Sequence, residues 1–500
     1  MDELTLIATY QELWIDPDWR NRNALLSDDV CLSYYELAVR VKALAGSLVA
    51  LGLKPGETVA LSMARTGDSV TVLLAILFAG GSVCPLEPRI SADEVAKRLK
   101  RICCRWAVTD KTLEHQFSQV NSTIAVIDRA RLDDNQHVYV EPARVTLDTP
   151  ALVLFTSGST GIPKAVQLTQ RAIAINAKGL VKHTHLTATD CLLHVMPIYH
   201  TNAINNQILA PFLAGATVAF APRFSAADMP GLMARYQPTI VSGVPTMYSR
   251  MLAYSFDENA KINLRMIRSG SAPISPDLHQ RIETTFGCPV VVSYGLSEAT
   301  CTSTMNPPGN RRIGSVGTTL KGQTVVLLET ERDVPVAEGV PGEIAIAGDS
   351  LMSGYLNENG QPDPSSIASG WLRTGDLGRF DEEGYLFITG RIKDVIIRGG
   401  ENISPGIIED VITADSTVES CCVVGRPDTD FGEVPVAFVV ARVGAIIDAE
   451  RLKQSVGEQL SRIYRPEVVF VVDSLPENSV GKVDRKALAN QLANADKYSS

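Results

Sequence analysis

Thr156-Ser157-Gly158-Ser159-Thr160-Gly161-Ile162-Pro163-Lys164 follows directly on an apolar run at 152–155. Hydroxyl residues and glycines in such a string expose backbone N–H groups, let oxygens approach closely and add hydroxyl donors. Those features cradle phosphate, and Lys164 adds a point charge. The spacing G-x-x-x-x-G-K-[ST] of a Walker A loop does not fit. In isolation a Ser/Thr/Gly loop reads equally well as a surface turn. Its place behind a strand sets it in a longer run of alternating strands and helices.

Upstream, Ser33-Tyr34-Tyr35-Glu36 has the form of a capping box, and Leu37, Val41, Leu44, Leu48 and Leu51 recur on one helical face before Gly52. A strand is expected at 58–63. A helix apolar nearly all round is expected at 70–79, closed by Gly80, Gly81 and Pro85. Downstream, the apolar runs 217–220, 239–242 and 290–293 alternate with helical stretches. This β/α alternation predicts a mostly parallel sheet covered by helices. Between 310 and 390 the texture changes to glycine-punctuated short strands at 324–328, 342–347 and 385–388, which read as a small antiparallel barrel or sheet. After Asp394 a compact unit follows, with strands at 418–425, 436–440 and 468–472 and helices at 448–460 and 484–495.

The 500 residues exceed one hydrophobic core. With 45% hydrophobic and 20% charged residues the chain is globular, not disordered or fibrous. Its net charge of −10 comes without any basic run, so a nucleic-acid partner is not expected. The acidic start shows no signal-peptide pattern. The uncharged stretch 191–222 holds two His, three Asn, a Gln and prolines, and reads as buried interior, not a membrane span. Nine cysteines, with the adjacent pairs Cys103-Cys104 and Cys421-Cys422 and no C-x-x-C, point to a reducing compartment, and a cytoplasmic location is expected. His183-Thr184-His185 looks like a metal pair, but no third ligand follows at a fitting spacing.

The loop resembles the phosphate loop of the adenylate-forming superfamily, which comprises acyl-CoA synthetases, adenylation domains and beetle luciferases. Four further motifs run in that family's order. They are Tyr294-Gly295-Leu296-Ser297-Glu298, then Gly370-Trp371-Leu372-Arg373-Thr374-Gly375-Asp376, then Gly390-Arg391-Ile392-Lys393-Asp394 with Gly399-Gly400-Glu401-Asn402-Ile403, and finally Gly481-Lys482. The likeness spans nearly the whole chain and is greatest to the acyl-CoA synthetases. It implies an α/β fold: a large N-terminal domain, 1–392, of layered α/β subdomains with a small β-barrel-like subdomain. A small mobile α+β C-terminal domain, 393–500, would follow, with Lys393 as the hinge.

The resemblance also implies a two-step reaction: a carboxylic acid and ATP form acyl-AMP and pyrophosphate, and a thiol then displaces AMP. Residues Thr156, Ser157, Gly158, Ser159, Thr160, Gly161 and Lys164 would hold the β- and γ-phosphates, and Glu298 with Thr156 would hold Mg²⁺. Asp376 would accept both ribose hydroxyls beside Arg391. Ser271, Ala272 and Pro273, with Tyr294 and Gly295, would line the adenine slot, and Ser297 would donate to the α-phosphate. Lys482 would bridge the attacking carboxylate and the α-phosphate. His200, in Met196-Pro197-Ile198-Tyr199-His200, would shape the carboxylate's approach, and Gly399 and Gly400 would serve the thiol step. Each has a plainer reading: Glu298 as a surface carboxylate, Asp376 as a turn former, His200 as a packed core residue and Lys482 as a surface cation.

Amino-acid-activating relatives carry a Phe-Asp pair that binds ammonium, and 196–203 has none, so an acid without an α-amino group is expected. Thr201, Asn202, Asn205, Asn206 and Gln207 form either buried amides or the edge of a pocket for a polar or short acyl group. CoA is the simplest acceptor. A separate carrier protein bearing the same phosphopantetheine arm is the alternative. Three departures stand out: Ala165 where glycine is usual, which would narrow the approach to phosphate; Ile407 where Glu is frequent; and Ile463-Tyr464-Arg465-Pro466 for the usual Y-K-x-P.

Overall fold

The computed structural model describes residues 4–132, 145–156, 163–257, 261, 263–367, 369–477 and 483–497. Local signals are met where they were expected. Ser33 caps the helix Tyr34–Ala50: its hydroxyl accepts the Glu36 N–H at 3.3 Å while the Glu36 carboxylate accepts the Ser33 N–H at 2.8 Å. Gly52, at φ +103°, takes the left-handed position just past that helix. The helix Gly67–Phe78 is buried on every side, as a sequence apolar all round requires.

The described residues form four sheets. The first has nine strands, in the order Thr318–Thr319, Thr304–Met305, Val290–Tyr294, Met266–Ser269, Ile240–Gly243, Cys191–His194, Thr217–Phe220, Asn23–Leu26 and Cys31–Ser33. Its centre is parallel and only its edges are antiparallel. The second runs Pro362–Asp363, Gly354–Leu356, Lys164–Thr169, Pro150–Thr156, Ser82–Pro85, Thr58–Ser62, Trp106–Thr109 and Ala125–Asp128. Helices such as Tyr34–Ala50 and Gly67–Phe78 join one large core with both sheets. The mostly parallel, helix-covered architecture is therefore present twice.

The glycine-punctuated region folds as a four-stranded antiparallel sheet, Thr324–Leu328, Gly342–Ala347, Leu372–Phe380 and Leu386–Arg391, the sheet form of the barrel-or-sheet expectation. Beyond it a small α+β unit holds the strands Ile396–Arg398, Glu401–Ile403, Val418–Asp428, Gly432–Ala441 and Val468–Val471 with their own cores. The stretch 191–222 is mostly interior, contributing two central strands and, between them, the π-helix Asn202–Leu209 and the short α-helix Ala210–Leu213. No described helix is long and apolar enough to cross a membrane.

Candidate active site

Thr156 and Lys164, the two ends of the hydroxyl- and glycine-rich stretch, lie on neighbouring strands. Strands Pro150–Thr156 and Lys164–Thr169 pair antiparallel, with Thr156 opposite Lys164 at the neck. Ser157, Gly158, Ser159, Thr160 and Gly161 lie outside the described residues, as do Gly481 and Lys482. The Lys164 ammonium stands 4.5 Å from the centre of the Tyr355 ring, a cation–π contact that aims the charge without neutralising it. The Tyr355 hydroxyl donates to Glu298 Oε1 at 2.9 Å. Burial, then the Glu298 carboxylate, push the Tyr355 phenol up, so it stays a donor at neutral pH. Thr156, Lys164, Tyr355 and Glu298 thus form one chain of contacts.

Tyr294 ends a parallel strand, and its hydroxyl donates to Asp376 Oδ2 at 2.7 Å. Arg391 Nε lies 2.5 Å from Asp376 Oδ1, across the strand pair that sets these residues opposite each other. The Asp376 carboxylate is 5% exposed and turned toward these partners, away from its own turn, where Thr374 Oγ1 accepts the Asp376 N–H at 3.1 Å. Burial, then Asp376, raise the Tyr294 phenol well above its ordinary range. Gly295 is required: a Cβ there would lie 1.8 Å from the Cys301 carbonyl oxygen. Ser271, Ala272 and Pro273 leave the adjoining strand, which pairs Ser269 with Val292. Ser271 holds φ +67°, a conformation that L residues rarely adopt and that concentrates at functional sites.

Ser297 Oγ lies 3.2 Å from Thr201 Oγ1, which brings the His200 segment to the Glu298 turn. The His200 ring packs on Tyr199, with centroids 4.6 Å apart. The amides beyond it are buried and bonded: Asn205 Nδ2 donates to Asn176 Oδ1 and Asn206 Nδ2 to Thr302 Oγ1, both at 2.8 Å. The segments carrying His200, Ser271 and Ser297 leave the carboxyl ends of parallel-paired strands, where α/β sheets gather their ligands, while Asp376, Arg391 and Tyr355 come from antiparallel strands.

Other residues stand apart. Lys393 occupies a single 3-10 turn, Ile392–Asp394, and with Thr374, Gly375, Arg391 and Ile392 lines a cleft of about 290 Å³. Gly399 and Gly400, at φ +58° and +89°, turn the hairpin of the small unit, and neither bonds to the Asp376 cluster among the described residues. The Ala165 methyl is buried in a core cluster with Val153 and Leu356. Its expected narrowing of the phosphate approach does not arise, because the strand's alternation turns this side chain inward. Ile407 is half-buried in the helix Pro405–Thr413, and Arg465 pairs with Glu450 at 3.2 Å. His183 Nε2 bonds to the Met305 carbonyl at 2.6 Å. Tyr355 escaped sequence reading, since nothing in Ser353-Gly354-Tyr355-Leu356 announces that this strand pairs beside the loop hairpin.

Among known proteins, residues 17–356 match the AMP-binding enzyme family and residues 407–482 match the AMP-binding enzyme C-terminal domain. The chain belongs to the AMP-binding enzyme family. It is 32% identical to a sulfoacetate–CoA ligase of Cupriavidus necator over 94% of this chain and 95% of that protein. It is also 32% identical to an oxalate–CoA ligase of Arabidopsis thaliana, over 94% and 96% of the two chains. The structure of ATP-bound MatB from Rhodopseudomonas palustris superposes with a TM-score of 0.89 at 30% identity, covering 99% of each chain.

Proposed function

We propose that this chain is an AMP-forming carboxylic acid–CoA ligase. A carboxylate oxygen attacks the α-phosphorus of ATP, the bond to the bridging oxygen breaks, and pyrophosphate leaves. The CoA sulfur then attacks the acyl carbon, the mixed-anhydride C–O bond breaks, AMP leaves, and the thiol proton passes to solvent. The observation that carries the reading is the Tyr294–Asp376–Arg391 cluster together with the Glu298–Tyr355–Lys164 chain.

In this reading Asp376 accepts the ribose hydroxyls, since Tyr294 and Arg391 occupy only part of a carboxylate's acceptor capacity. Ser271, Ala272, Pro273, Tyr294 and Gly295 line the adenine slot. Ser297 donates to the α-phosphate, and 156–164 contacts the outer phosphates. Thr156 and Glu298 offer oxygen donors alone, which fits Mg²⁺, and they would hold it. When bound, the ion neutralises charge on phosphate oxygens. His200 shapes the carboxylate's approach, and Lys482 meets the carboxylate and the α-phosphate. The division falls at 392/393 with Lys393 as the pivot, a place supported by its lone turn between two sheets. Gly399 and Gly400 then serve the thioester step. Cysteine usage supports a reducing compartment, and we place the protein in the cytoplasm.

The test is a panel of acids with MgATP scored for pyrophosphate. It includes oxalate and sulfoacetate, the acids named for two relatives. Acid-dependent pyrophosphate followed by CoA-dependent AMP and thioester is expected. No pyrophosphate with any acid would overturn the ligase. Pyrophosphate without transfer to CoA would move the acceptor to a carrier protein.

A further inference from the structure

Arg268 lies in the strand Met266–Ser269, between Ser242 on one neighbouring strand and Val291 on the other, and is 2% exposed. Its Nη2 donates to the Asn206 carbonyl at 3.3 Å. Nε and Nη1 have no partner, and no carboxylate pairs with the guanidinium, among the described residues. A half-buried arginine elsewhere in the chain behaves differently. Arg65 gives Nε to Ala221 O at 2.9 Å, Nη1 to Met196 O at 2.7 Å and Nη2 to His194 O at 2.7 Å. Burial pulls the Arg268 guanidinium down to about 10, which still leaves it a cation at neutral pH. A buried charge with idle donors is destabilising unless something else in the working protein engages it.

Its surroundings belong to the site. Asn206, whose carbonyl it bonds, sits in the mostly buried π-helix Asn202–Leu209 that follows His200. Asn206 Nδ2 reaches Cys301 Sγ at 3.2 Å, on the segment that follows Glu298. Two residues beyond Arg268 the chain enters Gly270-Ser271, assigned above to the adenine side. Acceptor oxygens of Asn205, Asn206 and Gln207 and the Ser269 hydroxyl are also without partners, so this wall is polar and unfilled in its hydrogen bonding.

We infer that Arg268 determines acid specificity, and that the acid activated here carries, besides the reacting carboxylate, a second anionic group gripped by the idle donors of Arg268. This deepens the ligase reading and rests on it. The second group is a carboxylate or a sulfonate, since either accepts charge-assisted hydrogen bonds from a guanidinium. An acid with an uncharged tail leaves the donors of the guanidinium unpaired, which is how a site built for a charged group rejects an apolar analogue.

Pyrophosphate release by the full chain tests this, with malonate against propanoate, succinate against butanoate, and 3-sulfopropanoate as the sulfonate. At least one doubly anionic acid should show kcat/KM about a hundredfold or more above its uncharged counterpart. Whether malonate and succinate or 3-sulfopropanoate respond assigns the group. Arg268→Met should remove about a hundredfold for the anionic acid and leave propanoate and butanoate equal or faster, and Arg268→Lys should restore part of the loss. Wild-type preference for the uncharged acids overturns the inference without any variant, so a variant that fails to fold does not shield it. Equal loss with both kinds of acid makes Arg268 a structural residue. Activity with none of these acids, or with any other, overturns the ligase reading as well.

Discussion

Asp376 has one carboxylate and several claims on it. In the structure it receives Tyr294 and Arg391, so its side chain serves the cluster and not the T-G-D turn. Hydrogen bonds to a charged acceptor are worth roughly 1.5–3 kcal/mol each. Asp376→Ala should therefore raise the KM for ATP by at least about tenfold in a variant that still folds, with its unfolding midpoint lowered by the roughly 1–3 kcal/mol that an unpaired Tyr294 hydroxyl costs. An unchanged KM would return Asp376 to the turn. Tyr355 acts one step further out, its hydroxyl holding Glu298 and its ring facing Lys164. Tyr355→Phe keeps the ring and removes the donor. Groups that orient a metal ligand typically matter by about 10–100-fold in metal affinity, so the Mg²⁺ needed for half-maximal rate should rise by about tenfold. A Mg²⁺ titration that superposes on the wild type would make Tyr355 a packing residue only.

Three neighbouring strands of the nine-stranded sheet are aligned at their starts by Asp190, which is 3% exposed. Its carboxylate accepts Thr187 N–H at 2.9 Å, Thr239 Oγ1 at 2.7 Å, and Arg265 through Nε at 2.6 Å and Nη2 at 2.8 Å. The starts of the strands Cys191–His194, Ile240–Gly243 and Met266–Ser269 are tied together by this one group. Burial pushes its carboxyl up, but the Arg265 donors, the Thr187 N–H and the Thr239 hydroxyl outweigh that and hold it below the usual carboxylate range. A depressed folded-state value means that the stabilisation is present above the unfolded value, near pH 4, and is lost as pH falls through the folded value. Asp190→Asn should cost roughly 2–4 kcal/mol at pH 7, since it leaves Arg265 underpaired, and should flatten the acid limb of the urea midpoint against pH. A midpoint that falls with acid as steeply as in the wild type would remove Asp190 from this role.

At the scale of the molecule, the small C-terminal unit meets the large one through polar contacts at the surface. Arg442 pairs with Asp277 at 2.7 Å, Arg250 with Glu477 at 2.8 Å, and Ser249 donates to Glu419 at 3.1 Å. Exposed pairs of this kind are worth roughly 0.2–1 kcal/mol each, which holds an orientation weakly enough to exchange it for another. If the unit turns about Lys393 between the half-reactions, a residue that locks φ near −65° and removes the N–H should trap one arrangement. Lys393→Pro should keep pyrophosphate exchange within about tenfold, while CoA-dependent turnover falls by about a hundredfold, the cost of misplaced reacting groups. Normal thioester rates in this variant would place the pivot elsewhere or do away with the rotation.

Local pattern alone determined much of this protein. The strands at 217–220, 324–328 and 342–347 were legible from apolar runs and their bounding glycines, and they fall on Thr217–Phe220, Thr324–Leu328 and Gly342–Ala347. The capping box at Ser33 and Glu36 was legible because both partners lie within one turn. The order of motifs pointed to the adenylate-forming family, which the matches at 17–356 and 407–482 bear out. Tertiary structure decided what depends on distant segments meeting. The Tyr355 strand pairs with the strand that starts at Lys164 only because a distant part of the chain returns to that sheet, so its hydroxyl finds Glu298. The direction of the Ala165 methyl depended on which face of its strand the core covers. Arg268, in a strand reading Met-Ile-Arg-Ser, looks like a surface cation until strands pack on both sides and helices cover the faces. Periodicity records which residues share a face, but burial is a property of what covers that face, and the covering comes from other elements of the chain.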